Sequence, residues 1–260
     1  MKAQFRAMVA SFKQQWRWQM TFAGSAAPVL SSIALAIGVG WIVGRSENPI
    51  ALSHVFVGAP LMGLWQMGVF RTGWTLESER FQGTLDLMLT TQTPVYVVVF
   101  AKTLAIMAFQ AITAGLVLLI LLAFAGEFVS VDKVPWLFIS GLLAIGGVIA
   151  CSFVFAPFLF LVGGRGGFFN AIMPLGTVLS GFLYPIGLLP VSLEMLARML
   201  PTSWAMEGVV RSTQGGSTEG QIATDWLVAF ALICGYLVLA ALLFRMAEQR
   251  VRVSGSLALI

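Results

Sequence analysis

Six long apolar stretches dominate the chain, bracketed by charged and turn-forming residues: 21–44, 51–71, 95–125, 135–162, 167–188 and 224–244. Each is long enough to cross a hydrocarbon core of about 30 Å, which takes about 20 helical residues. They are unbroken runs of Leu, Ala, Ile, Val and Phe, whereas barrel strands would read as short alternating segments. The expected fold is therefore all-α and polytopic, with six transmembrane helices over residues 21–260.

Ahead of the first stretch, residues 1–20 follow a different rule. Phe5, Met8, Val9, Phe12 and Trp16 share one helical face, flanked by Arg6, Lys13 and Arg17. That is the pattern of an amphipathic helix lying in the membrane interface, with apolar side chains among acyl chains and cations near anionic headgroups. A cleaved signal peptide is the competing reading. It fits less well, because the apolar run that follows is about twice the length of an ordinary signal core.

Two polar segments carry helical structure of their own. In 72–94, Thr75 is placed to cap a short helix with Glu77 and Glu79 in its first turn, where the helix dipole favours negative charge. Phe81, Leu85 and Met88 then form an i, i+4, i+7 stripe, so one face wants a protein or membrane surface, and Pro94 opens the next span. The other segment, 188–222, has Leu193, Leu196 and Leu200 at helical spacing before Pro201. Ser203 is placed to cap a second short helix in which Glu207 and Arg211 pair at i, i+4. Half-apolar helices interrupted by proline and adjoining a span read as an interfacial or re-entrant hairpin.

Composition sharpens this picture by exclusion. The chain is 58% hydrophobic and 10% charged, with a mean hydropathy of +0.91, against roughly 25% charged in soluble domains. Cys151 and Cys234 lie inside apolar runs and His54 stands alone, so neither a disulfide framework, a metal centre nor a histidine-based triad is expected. The net charge of +4 comes from cations scattered between spans, without a basic run that would grip nucleic acid. Those cations instead set topology. With the N-terminus inside, Lys2, Arg6, Lys13, Arg17, Arg71, Arg80, Lys102, Arg165, Arg245, Arg250 and Arg252 fall on the cytoplasmic side, and only Arg45, Lys133, Arg198 and Arg211 outside. Both termini are expected in the cytoplasm of a cell with this chain in its plasma (inner) membrane.

Missing chemistry narrows the function. No GxxxxGK[ST] occurs, and the GGRGG run at 163–167 reads as a tight turn carrying Arg165. Mid-span positions are apolar or uncharged polar, such as Gln110, Thr113, Ser152, Thr177 and Ser180, while Lys102 and Asp225 are near span ends and able to snorkel. Ion-coupled transport and intramembrane hydrolysis, which need ionisable side chains within the bilayer, are disfavoured. Energy for any uphill movement has to come from another chain.

The run ESERFQGTLDLMLTTQTP followed by Lys102 resembles the cytoplasmic signature of type-2 ABC exporter permeases, an E-R-x-x-G-T-L-E-x-L pattern leading to T-P and a lysine in span three. The matching positions are Glu79, Arg80, Gly83, Thr84, Leu85, Asp86, Thr93, Pro94 and Lys102, with Asp86 in place of the usual Glu. SGFLYPIGLLP, then Pro201, Glu207 and Arg211, is similar to that family's span-five exit and external hairpin, with Gly181, Pro185, Leu189 and Pro190 as further matches.

The resemblance implies a permease that is not itself an enzyme and carries no cofactor. It works as a homodimer or beside a homologous half, with two copies of an ABC ATPase that bind ATP and Mg. It makes residues 76–90 a coupling helix, with Glu77, Glu79 and Arg80 in polar contacts with the ATPase and Phe81, Gly83, Thr84, Leu85, Asp86 and Met88 completing the surface. Packing against the protein's own spans is the alternative for Phe81, Leu85 and Met88. It also implies a substrate path along spans two and five, with Trp65, Gln66, Phe70, Asn170, Thr177 and Ser180 as candidates. Ordinary helix packing is the competing reading for these, and Trp41, Trp136 and Trp226 read as interfacial anchors. The expected cargo is lipophilic or amphiphilic: a drug, an antibiotic or a lipid. Lipid-linked polysaccharide or teichoic acid is the alternative within the family, and a passive channel or membrane scaffold the alternative outside it.

Overall fold

A computed structural model of the chain describes residues 2–21, 30, 33–34, 37–38, 41, 49–83, 94–125, 134–162, 166–182, 184–213 and 217–254. Among the described residues all regular structure is helical: α1 (Lys2–Gln19), α2 (Pro49–Phe81), α3 (Val95–Ala125), α4 (Val134–Val162), α5 (Gly166–Leu179), a 3₁₀ turn (Ile186–Leu188), α6 (Val191–Ala197), α7 (Pro201–Thr213) and α8 (Glu219–Ser254). Among the described residues, three segments are long and apolar enough to cross a membrane, Val95–Ile120, Pro135–Leu159 and Glu219–Arg250. The first expected span, 21–44, lies almost wholly outside the described residues, although Leu30, Ile37 and Trp41 are helical and exposed.

α4 is the centre of the bundle, packed against α2, α7 and α8, while α2 also lies along α3, and α3 carries α1 on its other side. Trp65, Leu64, Val69, Met107, Val148, Cys151, Phe182, Met206 and Val209 form one buried cluster where α2, α3, α4 and α7 meet. A second cluster, with Leu76, Val99, Phe153, Ala156 and Phe244, ties α2, α3, α4 and α8 together nearer the chain termini.

Several expected boundaries change. The second apolar stretch does not stop at residue 71: α2 runs 33 residues to Phe81, about 50 Å at 1.5 Å per residue. Thr75 is therefore not a cap. It lies inside the helix, and its hydroxyl donates to the carbonyl of Arg71, one turn back, at 2.9 Å. The helix ends instead at Gly83, whose φ of 69° gives the left-handed turn that residues with a Cβ resist. Residues 76–81 of the expected coupling helix 76–90 are thus the end of α2 and not the start of a separate helix. Thr84, Leu85, Asp86 and Met88 lie outside the described residues.

The fifth stretch is not one helix over 167–188. α5 has only 14 residues, about 21 Å, and stops before Gly181, whose φ is 66°. The last helix is longer than its apolar stretch and begins at Glu219, so residues 219–222 belong to it and not to the hairpin.

Candidate functional site

At the end of the bundle nearer the chain termini, α2 and α3 leave the polar segment between them. Glu79 on α2 and Lys102 on α3 form a buried ion pair there, with the two residues only 7% and 4% exposed. Lys102 does not snorkel, because a buried carboxylate lies within its reach. Removing two charges from water is costly, and each of the two offsets part of that cost for the other. It fixes the lower part of α2 against α3.

Beyond Glu79, Phe81 projects into the open at 76% exposure and stacks on Trp74, with ring centroids 6.1 Å apart. Glu77 and Arg80 belong to the same helical turns, and their side chains lie outside the described set.

Two neighbours brace this end. α1 does not only float its apolar face in lipid: Trp16 meets Phe109 of α3 edge-on at 6.5 Å, and Arg71 of α2 donates to the Gln19 side chain. The Arg71 guanidinium also lies 5.1 Å above the Trp18 ring, a cation–π arrangement. Glu248 of α8 also accepts the backbone N–H of Val95 at 3.1 Å, satisfying a helix-start donor that Pro94 cannot cap with its own side chain. Nothing in the local sequence announces Glu248, because the pairing spans 153 residues.

The far end carries the hairpin. Pro190 precedes α6, and its carbonyl accepts the N–H groups of Leu193 and Glu194. Pro201 opens α7, where a missing N–H costs nothing. Ser203 does not cap by accepting a helix N–H as expected; its hydroxyl donates back to the Leu200 carbonyl at 2.8 Å. The Glu207–Arg211 pair forms at 3.4 Å, and Arg211 also reaches Asp225 of α8 at 3.1 Å. Asp225 is 2% exposed and, like Lys102, is held by a partner instead of snorkelling. An acid at the start of an apolar run was the available signal, since a buried carboxylate requires a cation. Trp136 and Trp226 stack at 4.8 Å, and the Trp226 indole donates to Ser140, so both are tertiary contacts as well as aromatic side chains near a span end.

The candidate path residues divide. Trp65 is fully buried between Phe155 and Phe182, inside the protomer. Thr177 and Ser180 are buried too: Thr177 donates to the Met173 carbonyl, and Ser180 accepts from Thr202 of α7 at 2.9 Å. Gln66 and Phe70 instead lie on the exposed face of α2. Asn170 is on α5, with its side chain outside the described set.

Residues 22–242 match the protein family described as ABC-2 family transporter protein. No curated protein matches the chain.

Proposed function

The chain belongs to the ABC-2 family of transporter proteins, and from that membership we propose that it is the permease of an ATP-driven exporter, working as a pair of six-span subunits with two ATPase subunits on a partner chain. The cargo class is lipophilic or amphiphilic, a drug, antibiotic or lipid leaving the cytoplasm or inner leaflet. One observation carries the reading. α2 continues beyond its apolar part as a helical stalk, braced by the Glu79–Lys102 pair and α1, and ends in the exposed Phe81 beside Gly83. A stalk of that kind suits a partner that pushes on it, because its base is fixed and its tip is apolar and open. Glu77, Arg80, Phe81, Gly83, Thr84, Leu85, Asp86 and Met88 form the ATPase-facing surface, and Glu79 acts from behind it through Lys102.

ATP-driven closure of the partner subunits then moves α2 and switches the paired permease between inward-facing and outward-facing arrangements, a bistable element biased by nucleotide. Gln66 and Phe70 face the path, with Asn170 on its other wall, Thr177 and Ser180 packed behind that wall inside the protomer, and Trp65 holding α2 against α5. Pro190, Pro201, Glu207 and Arg211 shape the external hairpin that closes the outer end.

The test is co-expression and co-purification of the chain with a candidate ABC ATPase subunit from the same cell. Arg80→Glu with Phe81→Asp is expected to abolish the pull-down and the vanadate-sensitive ATP hydrolysis of the complex. Unchanged pull-down and unchanged export by that double variant would refute the coupling surface.

A further inference from the structure

Among the described residues α8 is the longest helix, 36 residues from Glu219 to Ser254, and no proline interrupts it, whereas α2, α4 and α5 contain Pro60, Pro157 and Pro174. Proline is a common cause of kinks in long helices, and α8 lacks that weak point. From Asp225 to Glu248 it spans about 35 Å. What holds it changes along that length.

At the hairpin end the grip is polar and close. Asp225 is buried and meets Arg211 of α7, and the Trp226 indole donates to the Ser140 hydroxyl of α4. Gly208 of α7 lies beside that ring, so near that a Cβ on it would stand 3.4 Å from the indole and 3.2 Å from the Ser140 hydroxyl. At the other end the grip is polar again. Glu248 accepts the N–H of Val95, the first residue of α3, and Arg250 donates to the carbonyl of Leu161 in the last turn of α4. Each charge suits the helix end it meets, a carboxylate at an N-terminus and a guanidinium at a C-terminus. Between these ends the packing is apolar: Ala229, Ala240 and Phe244 are buried, and Phe230 and Val238 face outward. Hydrogen bonds are directional and hold a register, whereas apolar burial is not and lets a helix slide. α8 is fastened at its ends and smooth along its shaft.

We propose that α8 is a connecting rod: displacement at the start of α3, where the chain enters from residues 84–94, moves α8 through Glu248 and reaches the hairpin through Asp225 and Trp226. A rigid helix with a fixed contact at each end is a physical carrier of such coupling. Glu248 and Asp225 are its positioning residues. α8 lies along α4 and α7 and has little contact with α3, so Glu248 is the polar link between α3 and the rod. The inference deepens the exporter reading by giving the ATPase-facing segment a route to the outer end, but the link itself needs neither ATPase nor cargo.

The experiment is hydrogen–deuterium exchange of the full chain in lipid nanodiscs, read by mass spectrometry over residues 95–101 of α3 and 201–213 of α7. Glu248→Leu removes the acceptor; it should raise exchange at 95–101 and also, at the far end of the rod, about fivefold in 201–213, the low end of coupling between sites. Glu248→Gln keeps an acceptor oxygen and should leave both windows near the wild type. Coupling is reciprocal, so Arg211→Gln, which loosens the hairpin end from its exposed side, should raise exchange at 95–101. Arg71→Gln loosens α1 from α2 and has no described contact with α8; it should leave 201–213 at the wild-type rate, which separates transmission along α8 from general loosening. No rise at 201–213 in Glu248→Leu would overturn the rod, as would no rise at 95–101 in Arg211→Gln, a Glu248→Gln that behaves as Glu248→Leu, or an equal rise at 201–213 in Arg71→Gln. With no ATPase present, these outcomes leave the exporter reading to its own pull-down, and loss of that reading leaves the rod standing.

Discussion

The energetics of this protein concentrate where charge meets burial. Glu79 and Lys102 neutralise each other inside the bundle, so deleting one removes the opposite charge that offsets the burial of the other. Lys102→Met should cost about 3–5 kcal/mol, the range for a buried pair broken on one side. Adding Glu79→Leu should return most of it, since an apolar pair of similar volume carries no desolvation penalty. Thermal unfolding of the single and double variants in detergent measures the difference, and a double variant no more stable than Lys102→Met would contradict the pairing. Asp225 and Arg211 obey the same rule at the other end, though Arg211 is more exposed and shared with Glu207. These are the residues whose partners an isolated sequence conceals. The sequence displays an acid in 72–94 and a lysine in the next span, but only packing brings Glu79 to Lys102 across 23 positions.

Among the elements, long periodic runs were legible and their ends were not. Residues 95–125 and 135–162 were expected as spans, and α3 and α4 occupy Val95–Ala125 and Val134–Val162. The N-terminal helix and the two helices of the hairpin were likewise visible in their apolar spacing. Thr75 and Ser203 are residue types that cap helices, yet both bond backward to carbonyls, because in each case the chain around them is already helical or held by a preceding turn. The fifth stretch departs from its expected bounds for another reason. Hydropathy continues smoothly through Gly181, but the backbone turns there so that Phe182 can pack against α2. That contact is so close that a Cβ on Gly58 would lie 1.5 Å from the Phe182 carbonyl oxygen. Gly58→Ala must therefore move backbone as well as side chains, and should destabilise by at least the 1–3 kcal/mol typical of about one excess methyl in a packed core. A lowered thermal midpoint checks it; a midpoint equal to the wild type would mean that α2 and the α5 exit are farther apart than the structure has them.

At the scale of the whole molecule, the unequal burial of the long helices says which sides need a partner. Only 22% of the most apolar window of α8 is buried within the protomer, against 44% for α3 and for α4. α8 has apolar side chains such as Leu227, Phe230 and Leu242 facing outward, which lipid satisfies without any protein contact. α2 differs, because its exposed face combines Phe70 and Trp74 with Gln66, and an amide facing hydrocarbon would leave its hydrogen bonds unmade. In the paired arrangement proposed above, that face turns toward the second copy and the path, where water or a partner amide would satisfy Gln66. The consequence is a specific cross-linking pattern. In a chain with Cys234→Ser, which removes the exposed native thiol, Gln66→Cys should give a covalent dimer in membranes under mild oxidation, while Leu227→Cys should not. Dimer formation through Leu227→Cys and none through Gln66→Cys would put the second copy against α8 and remove α2 from the interface. It would also move the proposed path, since Gln66 and Phe70, which are assigned to it, lie on that α2 face.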